Sequence, residues 1–278
     1  MNGGGFFGVP PVEMDSPEAV GAAGKGWSRR KWLAHAAWIV PAMGATHATG
    51  VEPRWLAVRT HRRSASPSVR IAHFTDIHYR GDRGRLLDMV GTVNRLRPDM
   101  AVFTGDLVEE AKFFAPALEV LSGVGCPMYG IPGNHDHWAR ADFGMARKVF
   151  GATGGRWLQD ESVMALGGRV RVHGVDRLSG AARIAPVAGT FNLTLIHYPI
   201  WADRLPHRSD LMLAGHSHGG QVRIPFYGAL VRPHDVGPYE LGWYDTPGGP
   251  LYVNPGIGCL GFDVRFNCRP EVSVFEVG

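Results

Sequence analysis

From residue 68 onward, short apolar runs alternate with amphipathic segments, and most apolar runs end in polar residues. Buried strands are predicted at residues 69–75, 100–104 and 128–131, with further strands at 163–166, 170–173, 193–196, 211–214, 251–253 and 272–276. Apolar residues recur at helical spacing over residues 86–96, and a second helix is predicted at 113–121. The early βαβα order and the strand-rich later part together predict two packed sheets flanked by helices.

Residues 1–67 do not continue this pattern, and we predict that they form a leader before one domain at 68–278. Residues 1–26 are rich in Gly, Ala and Pro without periodicity, which predicts disorder. Arg29-Arg30 then precedes a short apolar stretch, the layout of a twin-arginine export signal, although Trp32 stands where the usual pattern has Phe. That stretch is short for a membrane-spanning helix and contains Pro41. A segment lying against the domain or the membrane is the alternative.

The composition is that of a globular protein with room for one sizeable core. Of the 278 residues, 45% are hydrophobic and 19% are charged. The 38 glycines and 20 prolines predict many tight loops, which are where catalytic groups are commonly mounted. A formal net charge of +4 suits an anionic substrate or membrane surface, and it does not by itself indicate nucleic-acid binding.

The three cysteines, Cys126, Cys259 and Cys268, lack the spacing of a structural zinc site or a disulfide framework. We expect Cys126 to be a core residue. Cys259 and Cys268 are expected to be buried thiols, with a bridge between them as the alternative in an oxidising compartment.

Five polar clusters follow predicted strands. They are Asp76-Ile77-His78, Gly105-Asp106, Gly133-Asn134-His135-Asp136, His197-Tyr198-Pro199 and Gly215-His216-Ser217-His218. Because the carboxyl ends of strands in an α/β sheet meet at one edge, these clusters can share one site. Carboxylate, amide and imidazole groups are accepted by borderline divalent ions, and no thiolate is among them. Seven of these side chains are candidate ligands, and seven suit two ions better than one, since one aspartate can bridge both. They are Asp76, His78, Asp106, Asn134, His197, His216 and His218.

Each cluster has an ordinary explanation when it is taken alone. An Asp-x-His pair is common in loops, Gly-Asn-His-Asp is typical of a turn, and His197 could be a hydrogen-bonded core histidine. The occurrence of all five in this order after strands argues against coincidence.

This ordered set, with Glu109 three residues after Asp106, resembles the signature of calcineurin-like metallophosphoesterases over about residues 68–278. The resemblance implies an α/β fold, a two-sheet αββα sandwich with a short N-terminal extension. It also implies two divalent metal ions, Mn, Fe or Zn, about 3.5–4 Å apart. Carried over by position, the metal ligands would be Asp76, His78 and His218 for the first ion, Asn134, His197 and His216 for the second, and Asp106 as the bridge.

The resemblance also implies the reaction, which is attack of a bridging hydroxide on phosphorus in a phosphodiester or pyrophosphate. His135 would be a catalytic residue that assists the leaving group without binding metal. Glu109 stands where many members carry an aspartate that orients this histidine, and Asp136 is the competing partner. The alternatives are a soluble phosphomonoesterase or nucleotide phosphodiesterase using the same metals, and a non-catalytic binding module of the same fold.

Residues 214–225, 252–258 and 265–271 are similar to a bacterial branch of membrane-associated or exported phosphodiesterases, some of which cleave the pyrophosphate of UDP-2,3-diacylglucosamine in lipid A synthesis. That similarity implies a lipid-linked or nucleotide-sugar substrate and a monomer at the cell membrane or exported, with either membrane face compatible. The aromatic and aliphatic pairs after the last metal-ligand motif could line an entrance for a lipid tail, or could be core and turn residues. They are Phe226-Tyr227, Leu230-Val231, Tyr239 and Trp243-Tyr244.

Overall fold

The computed structural model describes Met1 and residues 28–278, except for the side chains of residues 182 and 183. The chain divides into two compact units, Met1–Ala42 and Met43–Gly278. The predicted disorder of residues 1–26 falls outside the described residues, apart from Met1. Among the described residues, no helix has both the length and the apolar character that crossing a membrane requires.

The helices and strands follow one another along the chain much as the hydrophobic pattern predicts. They are α1 (Arg29–Thr46), β1 (Ala57–Arg62), β2 (Val69–Phe74), α2 (Arg83–Leu96), β3 (Met100–Phe103), α3 (Phe114–Leu121), β4 (Met128–Gly130), α4 (Asn134–Trp138), α5 (Phe143–Ala152), β5 (Arg156–Trp157), β6 (Glu161–Ala165), β7 (Val170–Val175), β8 (Phe191–Ile196), β9 (Leu211–Ala214), β10 (Arg223–Ile224), β11 (Gly228–Ala229), β12 (Gly242–Thr246), β13 (Gly249–Val253) and β14 (Glu271–Val277). A π-helical turn spans His47–Val51, and 3₁₀ turns span Glu52–Arg54, Ala111–Phe113, Leu166–Gly168, Leu178–Arg183, Pro199–Asp203 and His218–Gly220.

Two six-stranded mixed sheets form the centre of the second unit. The first has the order β1-β14-β2-β3-β4-β5, and the second has the order β12-β13-β9-β8-β7-β6. Strands β2 to β5 are parallel in the first sheet, and β7, β8, β9 and β13 are parallel in the second. The parallel strands of each sheet therefore direct their carboxyl ends to a common edge, which is where the predicted polar clusters begin.

The sheets are held together by an apolar seam to which both contribute. Ile71 and Val102 come from the first sheet, and Val172, Leu195 and Leu213 come from the second. On its other face, the first sheet packs against α2, α3 and α5 through residues such as Phe74 and Phe103. The second sheet is covered on its outer side by the turns Leu178–Arg183 and Pro199–Asp203. The predicted two-sheet α/β sandwich is therefore confirmed, with turns in place of helices over the second sheet.

Local capping explains where α2 begins and ends. The Asp82 side chain accepts a hydrogen bond from the Arg85 amide at 3.1 Å, which satisfies one of the unpaired donors of the first turn. At the other end, Arg97 adopts a left-handed conformation directly before Pro98, which cannot continue a helix. The strand β3 then starts at Met100.

The second unit begins earlier than residue 68, where the sequence pattern placed the domain boundary. Strand β1 pairs in parallel with β14 along Ala57–Arg62, at the edge of the first sheet. Glu52 is buried and its side chain accepts a hydrogen bond from the Cys268 amide. Because β1 is an edge strand with mostly exposed side chains, it has no apolar alternation by which it could be recognised.

The cysteines lie where they were expected. Cys126 is partly buried and packs against the core of the first sheet, and Cys259 and Cys268 are buried without a bridge. Residues 29–46, which were predicted to be an export signal or a segment lying on a surface, form the helix α1. Export and membrane association remain predictions.

Candidate metal centre

All seven predicted metal ligands lie after strand ends of the two sheets, and the structure brings them together. Asp76 and His78 follow β2, Asp106 follows β3, Asn134 starts α4, His197 follows β8, and His216 and His218 follow β9. Two groups have ligand atoms within 4.8 Å of one another, Asp76 with His78 and His218, and Asp106 with His197 and His216. These His/Asp groups are consistent with a dimetal site.

The first cluster, which consists of Asp76, His78 and His218, is buried. The Nε2 atoms of His78 and His218 are 3.0 Å apart, and His218 Nε2 is 3.5 Å from Asp76 Oδ1. Asp106 Oδ2 approaches the same group, at 3.7 Å from His78 Nε2. Two imidazole nitrogens and two carboxylates thus surround one small volume.

The second cluster consists of Asn134, His197 and His216. His197 Nε2 lies 2.9 Å from Asn134 Oδ1 and 3.2 Å from Asp106 Oδ2. The rings of His197 and His216 meet edge to face, with centroids 5.0 Å apart. Because Asp106 approaches both clusters through one oxygen, it occupies the position that a bridging ligand requires.

Backbone carbonyls fix the tautomers of both histidines in the second cluster. A carbonyl can only accept a hydrogen bond, so His197 Nδ1 donates to Thr104 O at 2.7 Å, and its Nε2 lone pair faces the site. In the same way, His216 Nε2 donates to His234 O at 2.7 Å, which leaves Nδ1 as its ligand atom. Such contacts on the far ring nitrogen are typical of metal-binding histidines.

The charge states that burial and neighbouring groups produce are those that cation binding needs. Burial raises the pKa of Asp106, but the charge of His197 and its hydrogen bond outweigh this and hold that pKa far below its usual range. Burial lowers the pKa of His218 well below its usual value. Burial, followed by the charge of His197, lowers the pKa of His216 to about 3. The site therefore offers an ionised carboxylate and neutral imidazoles.

The pKa of His197 is shifted in the opposite direction, upward. Burial lowers its pKa, but the charge of Asp106 outweighs burial and raises that pKa to about 9. A positive charge next to Asp106 is thus favoured in this position, and a metal ion can supply it in place of the proton. The donor set and its electrostatics fit divalent ions of the Mn, Fe or Zn type.

The loops that carry these residues adopt an unusual backbone conformation. Asp76, His78, Asp106, His216 and His218 all have positive φ, between 44° and 66°. Each such residue costs on the order of 1 kcal/mol, and clusters of them are typical of functional sites. Gly133 and Gly215 have no side chain because a Cβ there would collide with the carboxylates of Asp106 and Asp76 respectively.

His135 lies at the open side of the site. Its amide donates to Asp106 Oδ1 at 2.8 Å, and its ring meets the rings of His78 and Trp138 edge to face, with centroids 4.9 and 4.8 Å away. Its ligand atom is also within 4.8 Å of those of His78 and Asp106. Burial lowers the pKa of His135, while the charge of Asp106 opposes that shift. His135 is thus adjacent to a predicted ligand of the first cluster and to Asp106.

No hydrogen bond is described between Glu109 and the His135 ring, so the role of Glu109 in orienting His135 stays a prediction. Glu109 Oε1 lies 3.3 Å from His78 Nδ1, an ion-pair contact without the alignment of a hydrogen bond, and 2.7 Å from an Arg80 guanidinium nitrogen. The contact with His78, followed by Arg80, lowers the pKa of Glu109 to about 2 despite partial burial. Glu109 thus contacts a predicted metal ligand at its Nδ1 atom, while the Nε2 atom of the same ring lies in the first cluster.

Asp136 does not pair with the His135 ring either. Its Oδ2 accepts hydrogen bonds from the amides of Asp106 at 2.9 Å and Gly133 at 3.0 Å. Its Oδ1 accepts from the amides of Leu107 at 2.9 Å and Val108 at 3.2 Å. The Asp136 carboxylate therefore joins the loop after β3 to the loop after β4 and fixes Asp106 relative to Asn134.

Arg265 is a supporting residue that the sequence pattern did not mark as part of the site. It is fully buried and donates to the carbonyl oxygens of Pro255, Gly256, Gly258 and Cys268. The loop that it holds in turn binds the backbone before His78, because the Gly258 amide donates to Asp76 O at 2.7 Å. No motif rule identifies such a residue, since its partners are backbone carbonyls except for the Cys268 sulfur.

A groove of about 390 Å³ opens beside the second cluster. It is lined by the aromatic side chains of Trp138, Tyr198 and Trp201, together with His137 and Arg177. His137 Nε2 forms a 2.6 Å contact with Asp176 Oδ1, and this pairing raises the pKa of His137. Asp176 also lines the groove, which can accept a flat or apolar group on its aromatic side chains.

Comparison with known proteins supports a common origin for this arrangement. Residues 69–233, the larger part of the chain, match the family described as calcineurin-like phosphoesterase. YkuE of Bacillus subtilis (strain 168), an uncharacterized metallophosphoesterase, is 29% identical over 260 residues, covering 84% of this chain and 90% of that protein. Phosphodiesterase YaeI of Escherichia coli (strain K12) is 28% identical over 270 residues, covering 90% and 99%. A dimetal phosphatase structure from Danio rerio has a TM-score of 0.46 at 12% identity, over 69% of this chain and 88% of that one.

Proposed function

This chain belongs to the calcineurin-like phosphoesterase family and is a metallophosphoesterase, and from that premise we propose that it hydrolyses phosphodiester bonds with two metal ions. The observation that supports the use of two ions is the position of Asp106. Its Oδ2 lies 3.7 Å from His78 Nε2 in the first cluster and 3.2 Å from His197 Nε2 in the second. One carboxylate between two such groups is the arrangement of a bridged dimetal site.

Asp76, His78 and His218 would hold one ion, and Asn134, His197 and His216 the other, with Asp106 shared. Two divalent ions there would supply Lewis acidity to the phosphoryl oxygens and a water acidic enough to act as nucleophile near neutral pH. The protein orients the ligands through the Thr104 and His234 carbonyls and through Glu109. Because the water would be the nucleophile, no side chain needs to attack phosphorus.

His135 is proposed to help the departing oxygen. It lies on the open side of the site, with its amide bound to Asp106 and its ring against His78. A protonated His135 would give its proton to the leaving alkoxide, a contribution of roughly 10²–10⁴-fold for general acid catalysis. Burial lowers the pKa of His135 and so favours its neutral form, and the charge of Asp106 partly opposes that shift toward the protonated form that this step uses.

A diester is favoured over a monoester because of the groove beside the second cluster. A diester carries a second substituent that needs a place next to the phosphorus, and Trp138, Tyr198 and Trp201 offer apolar and stacking surface there. The relative YaeI, which is aligned over 99% of its length, is named a phosphodiesterase. Pyrophosphate-linked nucleotide sugars, including lipid-linked ones, are the narrower candidate, because a nucleobase can stack on such aromatic side chains.

The test is a substrate screen of the purified chain with Mn²⁺, Fe²⁺ or Zn²⁺ supplied in turn. The panel contains aryl and alkyl phosphomonoesters, phosphodiesters, nucleotide sugars and lipid-linked pyrophosphates, and His216→Ala serves as the matched variant. We expect metal-dependent cleavage of diesters or pyrophosphates with kcat/KM above that for monoesters carrying the same leaving group. Equal or higher kcat/KM for the monoesters would contradict the diester proposal.

A further inference from the structure

The hairpin of β10 and β11 presents an unusually exposed apolar surface. Its residues Ile224, Phe226, Tyr227, Leu230 and Val231, here called the apolar tip, are all exposed. The relative exposures of Phe226, Tyr227 and Val231 are 110%, 74% and 73%. Single exposed apolar residues are ordinary, but five within eight positions of one projecting hairpin form a patch.

The hairpin is attached directly to the loop that carries His216 and His218. A Cβ on Gly220 would collide with Ala229 and with Val231 O, so the two segments are in close contact. The Leu230 amide donates to Val222 O at 3.0 Å, which fixes the base of the hairpin two residues after Gly220. The apolar tip therefore has a defined position relative to the second cluster.

A further exposed aromatic residue lies on a neighbouring loop. Phe262 is 84% exposed, and its loop is tied to the base of the hairpin by Gln221. The Gln221 side chain donates to Leu260 O at 3.2 Å and accepts from the Leu260 amide. Phe262 and the apolar tip thus belong to loops that meet at the residues directly following His218.

Positive charge flanks the apolar tip. Arg223 precedes it and Arg232 follows it, and both guanidinium groups contact the same carboxylate, Glu240, at 3.1 and 3.2 Å. Two cations that share one anion leave net positive charge at the base of the hairpin, and the Arg232 side chain is 55% exposed. Apolar and aromatic side chains with flanking arginines are typical of elements that insert at the surface of an anionic bilayer.

We propose that the apolar tip and Phe262 form a docking surface for an anionic lipid bilayer. A bilayer fits better than a protein partner because the hairpin is short, with two residues in each strand. Phe226 at its turn is fully exposed, whereas a stable protein interface needs roughly 800 Å² on each partner. A deformable apolar layer accepts such exposed side chains without a preformed pocket, and anionic headgroups match the exposed Arg232.

Docking in this way would bring the metal centre close to phosphate esters carried by lipids. This consequence rests on the proposed phosphodiesterase function, whereas the docking itself does not. The same loop residues would therefore favour lipid-borne substrates over soluble ones of equal chemistry.

The docking surface is tested with the full chain and vesicles of phosphatidylglycerol, with phosphatidylcholine vesicles as the uncharged comparison. The variants are Phe226→Ser combined with Tyr227→Ser, and Phe262→Ser. Leu87→Ser on α2, where the native side chain is 48% exposed, is the matched control. We expect the tip variant to lower partition onto phosphatidylglycerol vesicles at least about tenfold, and the control to leave it unchanged. Equal partition of the tip variant and the control would overturn the proposal.

A site-specific measurement locates the contact. The Phe226→Cys chain carries an environment-sensitive fluorophore, and the unsubstituted chain reports labelling of the native cysteines. We expect a blue shift of the emission on adding phosphatidylglycerol vesicles and none on adding soluble glycerol phosphate. The absence of a shift with vesicles would contradict lipid docking. A wild-type chain that forms a dimer and does not bind vesicles, together with a monomeric tip variant, would also contradict it.

Turnover of a soluble aryl phosphodiester separates failure of this inference from failure of the proposed function. The tip variants should retain that turnover, which also shows that they are folded. Vesicle binding without diester cleavage would remove the proposed function only, and diester cleavage without vesicle binding would remove the docking surface only.

Discussion

The two clusters of the metal centre are held in place by different kinds of partner. In the second cluster, both histidines donate their far nitrogen to backbone carbonyls, those of Thr104 and His234. In the first cluster, His78 Nδ1 faces the Glu109 side chain at 3.3 Å, and His218 Nδ1 has no hydrogen-bond partner among the described residues. A carbonyl cannot be titrated or removed by substitution, so the fold itself fixes the second cluster, whereas a side chain tunes the first.

The support of the first cluster extends to a surface loop. Arg80 contacts Glu109 at 2.7 Å, and its guanidinium also donates to the carbonyl oxygens of Cys259 at 2.9 Å and Gly261 at 2.8 Å. The position of His78 is therefore linked through two side chains to the loop that bears Phe262. In the second cluster, the described partners of the far ring nitrogens are backbone carbonyls, and the side chains of Asp136 and Asp76 hold the backbone rather than the rings.

The largest effect is expected where the clusters meet. Asp106→Asn removes the negative charge that both clusters share, so we expect both ions to bind weakly. Turnover should fall by more than the roughly 10²–10³-fold that loss of one transition-state contact costs. Metal analysis and kcat with an aryl phosphodiester provide the measurement. Full metal content with wild-type turnover would show that Asp106 is not a ligand.

His135→Ala should leave both clusters intact and lower activity on esters with poor leaving groups by roughly 10²–10⁴-fold. Aryl esters should be affected less, because their leaving group departs without a proton. The measurement is kcat/KM across a leaving-group series together with metal analysis. An equal loss across the series would remove the acid role, and loss of one ion would make His135 a ligand.

Glu109→Gln should lower metal affinity in the first cluster and leave the second cluster unchanged. Among the predicted metal ligands, it removes a carboxylate contact from His78 alone, although the Glu109 charge also acts on Arg80 and on His135. Loss of such support typically lowers metal affinity by 10–100-fold. We therefore expect one of the two ions to be weakened and the other to remain tight. Glu110→Gln is the matched control, since Glu110 contacts Lys112 at the surface. Equal weakening of both ions, or of neither, would contradict the difference between the clusters.

The smallest effect concerns a buried histidine outside both clusters. Burial, followed by the charge of His61, lowers the pKa of His73 to about 3. Since the unfolded value is about 6.5, the stability that neutral His73 provides is complete above pH 6.5 and is lost as the pH falls toward 3. At pH 5 this loss is about 2 kcal/mol.

His73→Gln, which keeps a partner for Thr104, should reduce the difference in unfolding free energy between pH 7 and pH 5 by about that amount. Denaturant unfolding at the two pH values checks it. An unchanged difference would assign the acid sensitivity to the cluster histidines instead.

The sequence was sufficient to locate the seven predicted ligands because each motif directly follows a recognisable buried strand. Parallel strands bring such ends to one edge, so order along the chain predicts convergence. Strand β1 was missed because an edge strand has no apolar periodicity. For the same reason, the pattern contained no sign that residues 57–62 pair with β14.

The contacts behind the ligands could not be predicted, because they depend on side-chain direction. Glu109 has a longer side chain than aspartate, and it extends to His78 and Arg80 rather than to His135. Asp136 accepts from the Gly133 amide at the start of α4, where acidic residues commonly satisfy unpaired donors, and also from the Asp106 amide in the loop after β3. The membrane location, the substrate and the metal ligand roles remain predictions.

The most direct test of a bridged two-metal site is a calorimetric titration of the metal-free chain with Mn²⁺, in parallel with Asp106→Asn. We expect wild type to bind two ions per chain, with diester turnover following occupancy of the second. The variant should show both binding steps weakened. One ion per chain at full turnover, or two ions bound equally well by Asp106→Asn, would contradict the account.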